Sequence, residues 1–422
     1  MKLDRRTWLS LSALALAPRL AVAQKREPKQ SAGPTLVVRG AKLLRAGLPP
    51  VEDATVEIRD GKITRVGAGG APPAGAEVVE GKGKTLTAGF IDLLTGVGLV
   101  EIDLEGGSRH SEHASPSPIR AAFLAADGYD PAASAVAVTR SGGITSVGVV
   151  PDGGLVSGQS AFVDLTEDSP VVAQRLALHV TIDGDAWGSG SHASIGSTLL
   201  ALRELFDDAR EFKKNPGGFD KNQMRKLSAS RLDLRAVGDA LSGKLPVVFS
   251  VDRAADILSV LALAKENKLR AVIASAAEGW KVASELAKAK TPVITHPLDN
   301  LPRTFSARHV RDDNVARLHA AGVSVSIASG ETHNARKLRQ IAGNAVRAGL
   351  PWDAALGAVT RAPARAFGLD ARYGSVEPGR VANLALWSGD PFELSTRCEA
   401  LIVRGRRAPL ESRQTALFQK YR

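Results

Sequence analysis

Between residues 245 and 349 the chain repeats one unit: a short β-branched, apolar run followed by a stretch of helical periodicity. "LPVVFSVD" precedes "RAADILSVLALAKENK", and "LRAVIAS" precedes "GWKVASELAKAK". "TPVITHP" then precedes "DDNVARLHAAG", and "VSVSIASG" precedes "NARKLRQIAGNAVRAG". Strands joined through helical crossovers lie parallel, and a parallel sheet must be covered on both faces or closed on itself. Upstream, "GGITSVGVV" adds a further strand ending in a turn. Over roughly 290 residues this alternation predicts an α/β fold, a (β/α)8 TIM-like barrel rather than an open sheet.

Both ends have a different texture. "TLVVRGAKLL", "ATVEIRDGKITRVGAG" and "EVVEGKGKTLTAG" are short β-rich runs broken by glycine and charge, and "VANLALWSG" and "ALIVRGRRAPL" repeat the pattern near the C-terminus. Asp60-Gly61 between alternating runs is a hairpin signal. These runs predict a small β-sandwich assembled from residues 35–86 and 376–410, with the barrel over 87–375 and a tail at 411–422. Residues 188–229 read as a polar excursion over one barrel mouth.

Residues 1–23 have the layout of an export signal: a basic start, an apolar stretch over 9–17, and Ala21-Val22-Ala23 as a small-residue cleavage site. Arg5-Arg6 followed by Thr7-Trp8-Leu9 is twin-arginine-like, with general secretion as the alternative. The apolar stretch is too short for a transmembrane anchor. Residues 24–34 are a flexible leader, and the mature protein is expected in the periplasm or otherwise exported from a bacterium. Formal charge is +11, of which the signal carries +3; the remaining basic residues are scattered, which points away from nucleic acid. Cys398 is the single cysteine, so no intrachain disulfide can form and a structural thiol is expected.

"VEIRDGKITRVG", "KTLTAGFID" and "AALGAVTRAPARAFGLDARYGSVEPGRVANLALWSGDPFE" together resemble the amidohydrolase superfamily, and most of all its exported, imidazolonepropionase-like branch. The resemblance spans about residues 35–408 and implies a barrel, a β-sandwich and hydrolysis of non-peptide C–N bonds with one or two divalent metals, usually zinc. Family ligands stand at the C-terminal strand ends: a His-x-His after the first, histidines after the fifth and sixth, and an aspartate after the eighth. In this chain those positions are Leu94 and Gly96, Ser250, Ser275 and Gly330. Misalignment does not explain the mismatch, because no histidine lies between His192 and His296 and no aspartate between Asp313 and Asp353. The expected cofactor set is therefore none: zinc in the family, its ligands missing here.

A relocated or metal-free site is the alternative. Asp252, Glu278, His296, Glu331 and His333 follow the fifth to eighth strands and share the barrel mouth. His110-Ser111-Glu112-His113 could ligate a metal on a helical turn, but Pro116 and Pro118 argue against a helix there. Ser250 and Ser275 lack a Gly-x-Ser-x-Gly elbow. His179, His192, His309 and His319 read as ordinary positions, and Gly142-Gly143 and Gly153-Gly154 as turns. The leading expectation is a non-catalytic protein of this family that binds a small molecule in the barrel mouth or stabilises a partner. That partner would be a second copy or an active relative, since barrels of the family often oligomerise. An active C–N hydrolase is the rival, and a purely structural envelope protein a third reading.

Overall fold

The computed structural model describes residues 35–422 apart from 114–116, 183–193, 300 and 303. The export signal, the leader and His192 therefore lie outside the described residues.

The first strands are β1 (Leu36–Arg45), β2 (Leu48–Arg59), β3 (Lys62–Ala68), β4 (Glu77–Glu80) and β5 (Thr85–Ala88). Asp60 and Gly61, at φ +50° and +75°, make the tight turn between β2 and β3 that an Asp-Gly pair favours. The barrel strands are β6 (Phe90–Thr95), β7 (Ile144–Val149), β8 (Val156–Asp164), β9 (Val171–Thr181), β10 (Val247–Val251), β11 (Ala271–Ser275), β12 (Val293–Thr295) and β13 (Val325–Ile327). The chain then returns through β14 (Leu384–Trp387), β15 (Cys398–Val403) and β16 (Arg406–Ala408).

As expected, both termini build one sheet domain, and its eight strands form one continuous ladder. The reason is β1, which pairs with β2 along one edge and with β4 and β5 along the other, so the ladder never breaks. β5 pairs with β14, so Thr85–Ala88 belong to this sheet. Leu43, Val56, Ile58, Leu384 and Ile402 are among the residues of this sheet's own apolar core. The C-terminal tail carries a helix, Arg413–Tyr421, capped by Ser412.

The second sheet has the order β6 to β13 and nearly closes into a barrel. It departs from a regular (β/α)8 in one place. β8 runs antiparallel to both β7 and β9, so these form a meander. The links on either side of β8 are short turns, too short for the crossover helix that parallel neighbours need. Gly153 and Gly154, both at positive φ, serve the first turn. Ile91, Leu93, Phe162, Val248 and Ile294 fill the barrel, and Phe367 and Tyr373 pack into the same cluster.

The stretch expected to elaborate the mouth is largely part of the outer layer. Its helix Ile195–Lys214 buries Leu199, Leu202, Leu205, Phe206 and Phe212 at helical spacing and packs on helix Arg231–Leu241 on the way from β9 to β10. Among the described residues no helix is long and apolar enough to cross a membrane.

Candidate functional site

The loops leaving the C-terminal ends of β6 and β10 to β13 meet at one face, where side chains of different strands can converge. Two clusters organise it.

In the first, the start and end of the barrel are joined. Asp92, fully buried in β6, accepts a hydrogen bond from the Ser329 N–H just after β13, at 3.0 Å. Its Oδ2 has no hydrogen-bond partner among the described residues. Burial pushes this carboxyl up to about 7, against the pull of its bonds to Ser329 and the Leu94 N–H; the charge of Glu331 adds to the rise. The Ser329 hydroxyl in turn accepts from the Glu331 N–H at 3.2 Å. One residue on, Thr332 lies against Gly96: a Cβ on Gly96 would fall 2.4 Å from the threonine Oγ1. The backbone of Gly96 is not left-handed, so it is the threonine hydroxyl, and not the backbone, that a side chain there would meet. Leu94 packs against the barrel's interior cluster.

The second cluster ties together the loops after β10, β11 and β12. Asp252 accepts the Ser275 hydroxyl at 2.5 Å and the Ala277 N–H at 3.0 Å through the same oxygen. Ser275 and Ala276 sit at φ +71° and +55°, a left-handed pair uncommon without glycine. The Glu278 carboxylate is nearly fully buried, and its Oε1 lies 2.6 Å from His309 Nδ1. Its other oxygen accepts from the Ala254 N–H at 3.2 Å and lies 3.3 Å from Lys281 Nζ. Burial opposes ionisation of Glu278, but His309, the Ala254 N–H and Lys281 outweigh it and hold the carboxyl below its ordinary range. An ionised Glu278 can only accept, so His309 Nδ1 is the donor of this bond. The Trp280 indole donates to the His309 carbonyl at 2.9 Å, fixing the loop that carries the ring.

The predicted residues divide between these clusters. Asp252 and Glu278 belong to the second, and Glu331 to the first. His296 lies 3.6 Å from Asp299, and His333 lies 3.7 Å from Asp103, a residue of the loop after β6. Ser250 is half-buried in the ladder between β9 and β11. Gly330 is left-handed, at φ +64°, with open space around it. Among the described residues no three His, Cys, Asp or Glu side chains converge as a metal site requires. At the positions that the resemblance gives to metal ligands, Leu94, Gly96, Ser250, Ser275 and Gly330 present an apolar side chain, two glycines and two hydroxyls, a donor set without the imidazole and carboxylate groups that zinc takes.

His309 overturns its reading as an ordinary loop position, since it partners a buried carboxylate from another loop. The sequence signal was weak: two residues in loops that follow neighbouring strands. Asp92 was also missed as a titrating group. Glu112 pairs with Arg109, and His113 Nδ1 lies 2.7 Å from an Arg120 guanidinium nitrogen, a neighbour that disfavours a cation. Cys398, pushed up to about 12 by burial, is no nucleophile at neutral pH.

Comparison with known proteins agrees with the architecture. A profile described as the Amidohydrolase family matches residues 298–408. The chain is 22% identical over 348 residues to the amidohydrolase tasK of Hapsidospora irregularis, covering 74% of this chain and only 35% of that longer protein. The crystal structure of an amidohydrolase from Thermotoga maritima MSB8 superposes with a TM-score of 0.80 at 25% identity, covering 89% of this chain and 99% of the other. A molinate hydrolase, at 16% identity and TM-score 0.58, covers 90% of this chain and 96% of its own, a likeness of fold alone.

Proposed function

Because this chain belongs to the amidohydrolase superfamily, whose chemistry is hydrolysis of C–N bonds, we propose that it is an exported member that has given up the family's metal-dependent reaction. Its barrel mouth then serves to bind a small ligand or to stabilise a partner, a second copy or an active relative. The observation that carries this reading is Thr332 against Gly96. A side chain at the position that the resemblance gives to the second histidine would meet Thr332 of the loop after β13, which supports a mouth arranged without it. A fold outliving its chemistry is common, since activity resides in sites set on folds. The N-terminal layout of basic, apolar and small residues supports export.

Metal analysis of the mature protein tests this first: sub-stoichiometric zinc and no turnover in a screen of cyclic amides and dipeptides are expected. Stoichiometric zinc that disappears in a His296→Ala/His333→Ala double variant would sink the reading.

A second reading is a metal-free hydrolase. The 2.6 Å Glu278–His309 pair favours it, being a base oriented by a buried carboxylate, the arrangement general-base catalysis uses. Should the screen find a C–N substrate, His309→Gln is expected to lower kcat by about 100-fold or more. Unchanged turnover in that variant removes the pair from consideration.

A further inference from the structure

At the end of the barrel opposite the mouth, a cleft of about 880 Å3 opens between helices Ala254–Asn267 and Ala283–Lys288, beneath the starts of β10, β11 and β12. That size lies within the range of small-molecule sites, roughly 300–1,000 Å3. Its apolar lining includes Pro246, Leu258, Leu261, Leu269 and Pro292. Around these stand Lys265, Lys268, Arg270, Lys288 and Lys290, against Glu285 as the carboxylate of the lining. The charge of Lys288 helps hold Glu285 below its ordinary range, while Lys265, Lys268, Arg270 and Lys290 stand near no carboxylate that pairs with them among the described residues; Arg270 rests 3.4 Å from the Gly243 carbonyl. Glu285 is engaged by the Ser284 hydroxyl at 2.7 Å.

Two of these cations occupy costly positions. Lys268 and Lys290 follow the ends of the two helices in left-handed conformations, at φ +55° and +53°. Glycine or asparagine is the usual residue at such a position. The helix dipole favours a positive charge near each helix end, but a lysine elsewhere in the last turn meets that need, as Lys265 and Lys288 already do. The repetition of a strained lysine in adjacent units, both lining one apolar cleft, asks for an anion.

We propose that this cleft binds a single-chain anionic amphiphile, its acyl body on the apolar lining and its carboxylate or phosphate head among the five cations. The pairing of an apolar bed with a one-signed rim selects against a neutral lipid, which leaves the cations unpaired, and against a free anion, which leaves the bed in water. The site is remote from the barrel mouth and stands whichever reading of the mouth is correct.

The test titrates the full mature chain with dodecanoate and dodecyl phosphate below their micelle concentrations, followed by calorimetry. One equivalent of either should bind, with dodecanol and inorganic phosphate weaker by about tenfold or more. The exposed double variant Lys268→Glu/Lys290→Glu should weaken binding by about tenfold or more, increasingly so at low salt. Ala262→Trp, which fills the cleft without altering charge, should abolish it. Failure of both amphiphiles to bind overturns the proposal, as do equal binding of dodecanol or phosphate and indifference to both variants. Attachment to anionic vesicles without binding of free amphiphile also overturns it, since the face would then be a membrane-docking surface.

Discussion

Gly96 and Asp92 lie four residues apart and illustrate two ways in which a barrel mouth constrains single residues. Gly96 is held by space. Gly96→His should destabilise the protein by about 1–3 kcal/mol through overpacking, and Thr332→Gly in the same chain should restore most of that loss. Thermal melts of the single and double variants check it, and additive losses would show that Thr332 is not the obstacle. Asp92 is held by charge. Its folded pKa of about 7 lies above the ordinary value of 3.8, so the folded state binds more protons across that interval. The stability contribution is complete below the ordinary value and is lost as pH rises towards 7, by at most roughly 1.4 kcal/mol per pH unit. Asp92→Asn keeps the acceptor for Ser329 and removes the titration. The variant's Tm minus the parent's should therefore climb from pH 4 to 7 and then level off, whereas parallel curves would remove Asp92 as the cause. His179 acts in the opposite sense over the same acid range. Buried in β9, its imidazole is pushed down to about 4, so it costs stability as pH falls below its ordinary 6.5. His179→Gln should flatten acid destabilisation over that interval, measured by the same melts.

At the scale of elements, glycines with the same backbone conformation carry different burdens. Gly143 and Gly153 are both left-handed, at φ +76° and +85°. A Cβ on Gly143 would meet the buried Trp387 ring at 2.0 Å, while one on Gly153 meets nothing within 4 Å. Gly153→Ala should cost about 1 kcal/mol, the backbone penalty alone. Gly143→Ala adds a packing penalty for a total of about 2–4 kcal/mol, and denaturant unfolding separates the two. If the costs are equal, Trp387 yields freely and the close approach has no energetic weight. Both glycine pairs read as turns in the sequence because nothing phosphate-binding followed them, and the strand-helix alternation after residue 245 gave the parallel half of the barrel. The antiparallel β8 was not legible. Its burial is complete along its length, so "VSGQSAFVD" shows no alternation that would mark direction. The two mouth clusters were illegible for another reason. Ser329 and Asp92 are 237 residues apart, and His309 and Glu278 are 31 apart, so only closure of the barrel brings them together.

For the whole molecule, the question is what holds a sheet made of two chain ends to the barrel between them. Asp164, fully buried at the end of β8, is the joint. One of its oxygens accepts from the Ser146 hydroxyl at 2.7 Å and the Asn383 amide at 2.9 Å. The other accepts from Arg404 Nε at 2.6 Å and the Tyr373 hydroxyl at 3.1 Å. Ser146 belongs to the barrel, Asn383 and Arg404 flank strands of the sheet, and Tyr373 packs into the barrel's interior cluster. The antiparallel course of β8 matters here, because it delivers the strand's C-terminal carboxylate to the end of the barrel opposite the mouth, where the sheet domain attaches. Asn383 also accepts from the Arg404 N–H at 2.7 Å, and Arg404 donates to the Ser169 carbonyl at 2.8 Å, so the network is satisfied on both sides. Only Asp164 is fully buried and Arg404 is partly exposed, so removing the arginine strands a buried charge that keeps its other donors, at a cost below the roughly 3–5 kcal/mol of a fully buried pair. Arg404→Met should therefore lower Tm by several degrees, and a double variant with Asp164→Leu should recover a substantial part, because no unpaired charge remains. Equal Tm values for Arg404→Met and the parent would mean that the apolar contact of Trp387 with Phe90, and not this polar joint, fastens the sheet to the barrel.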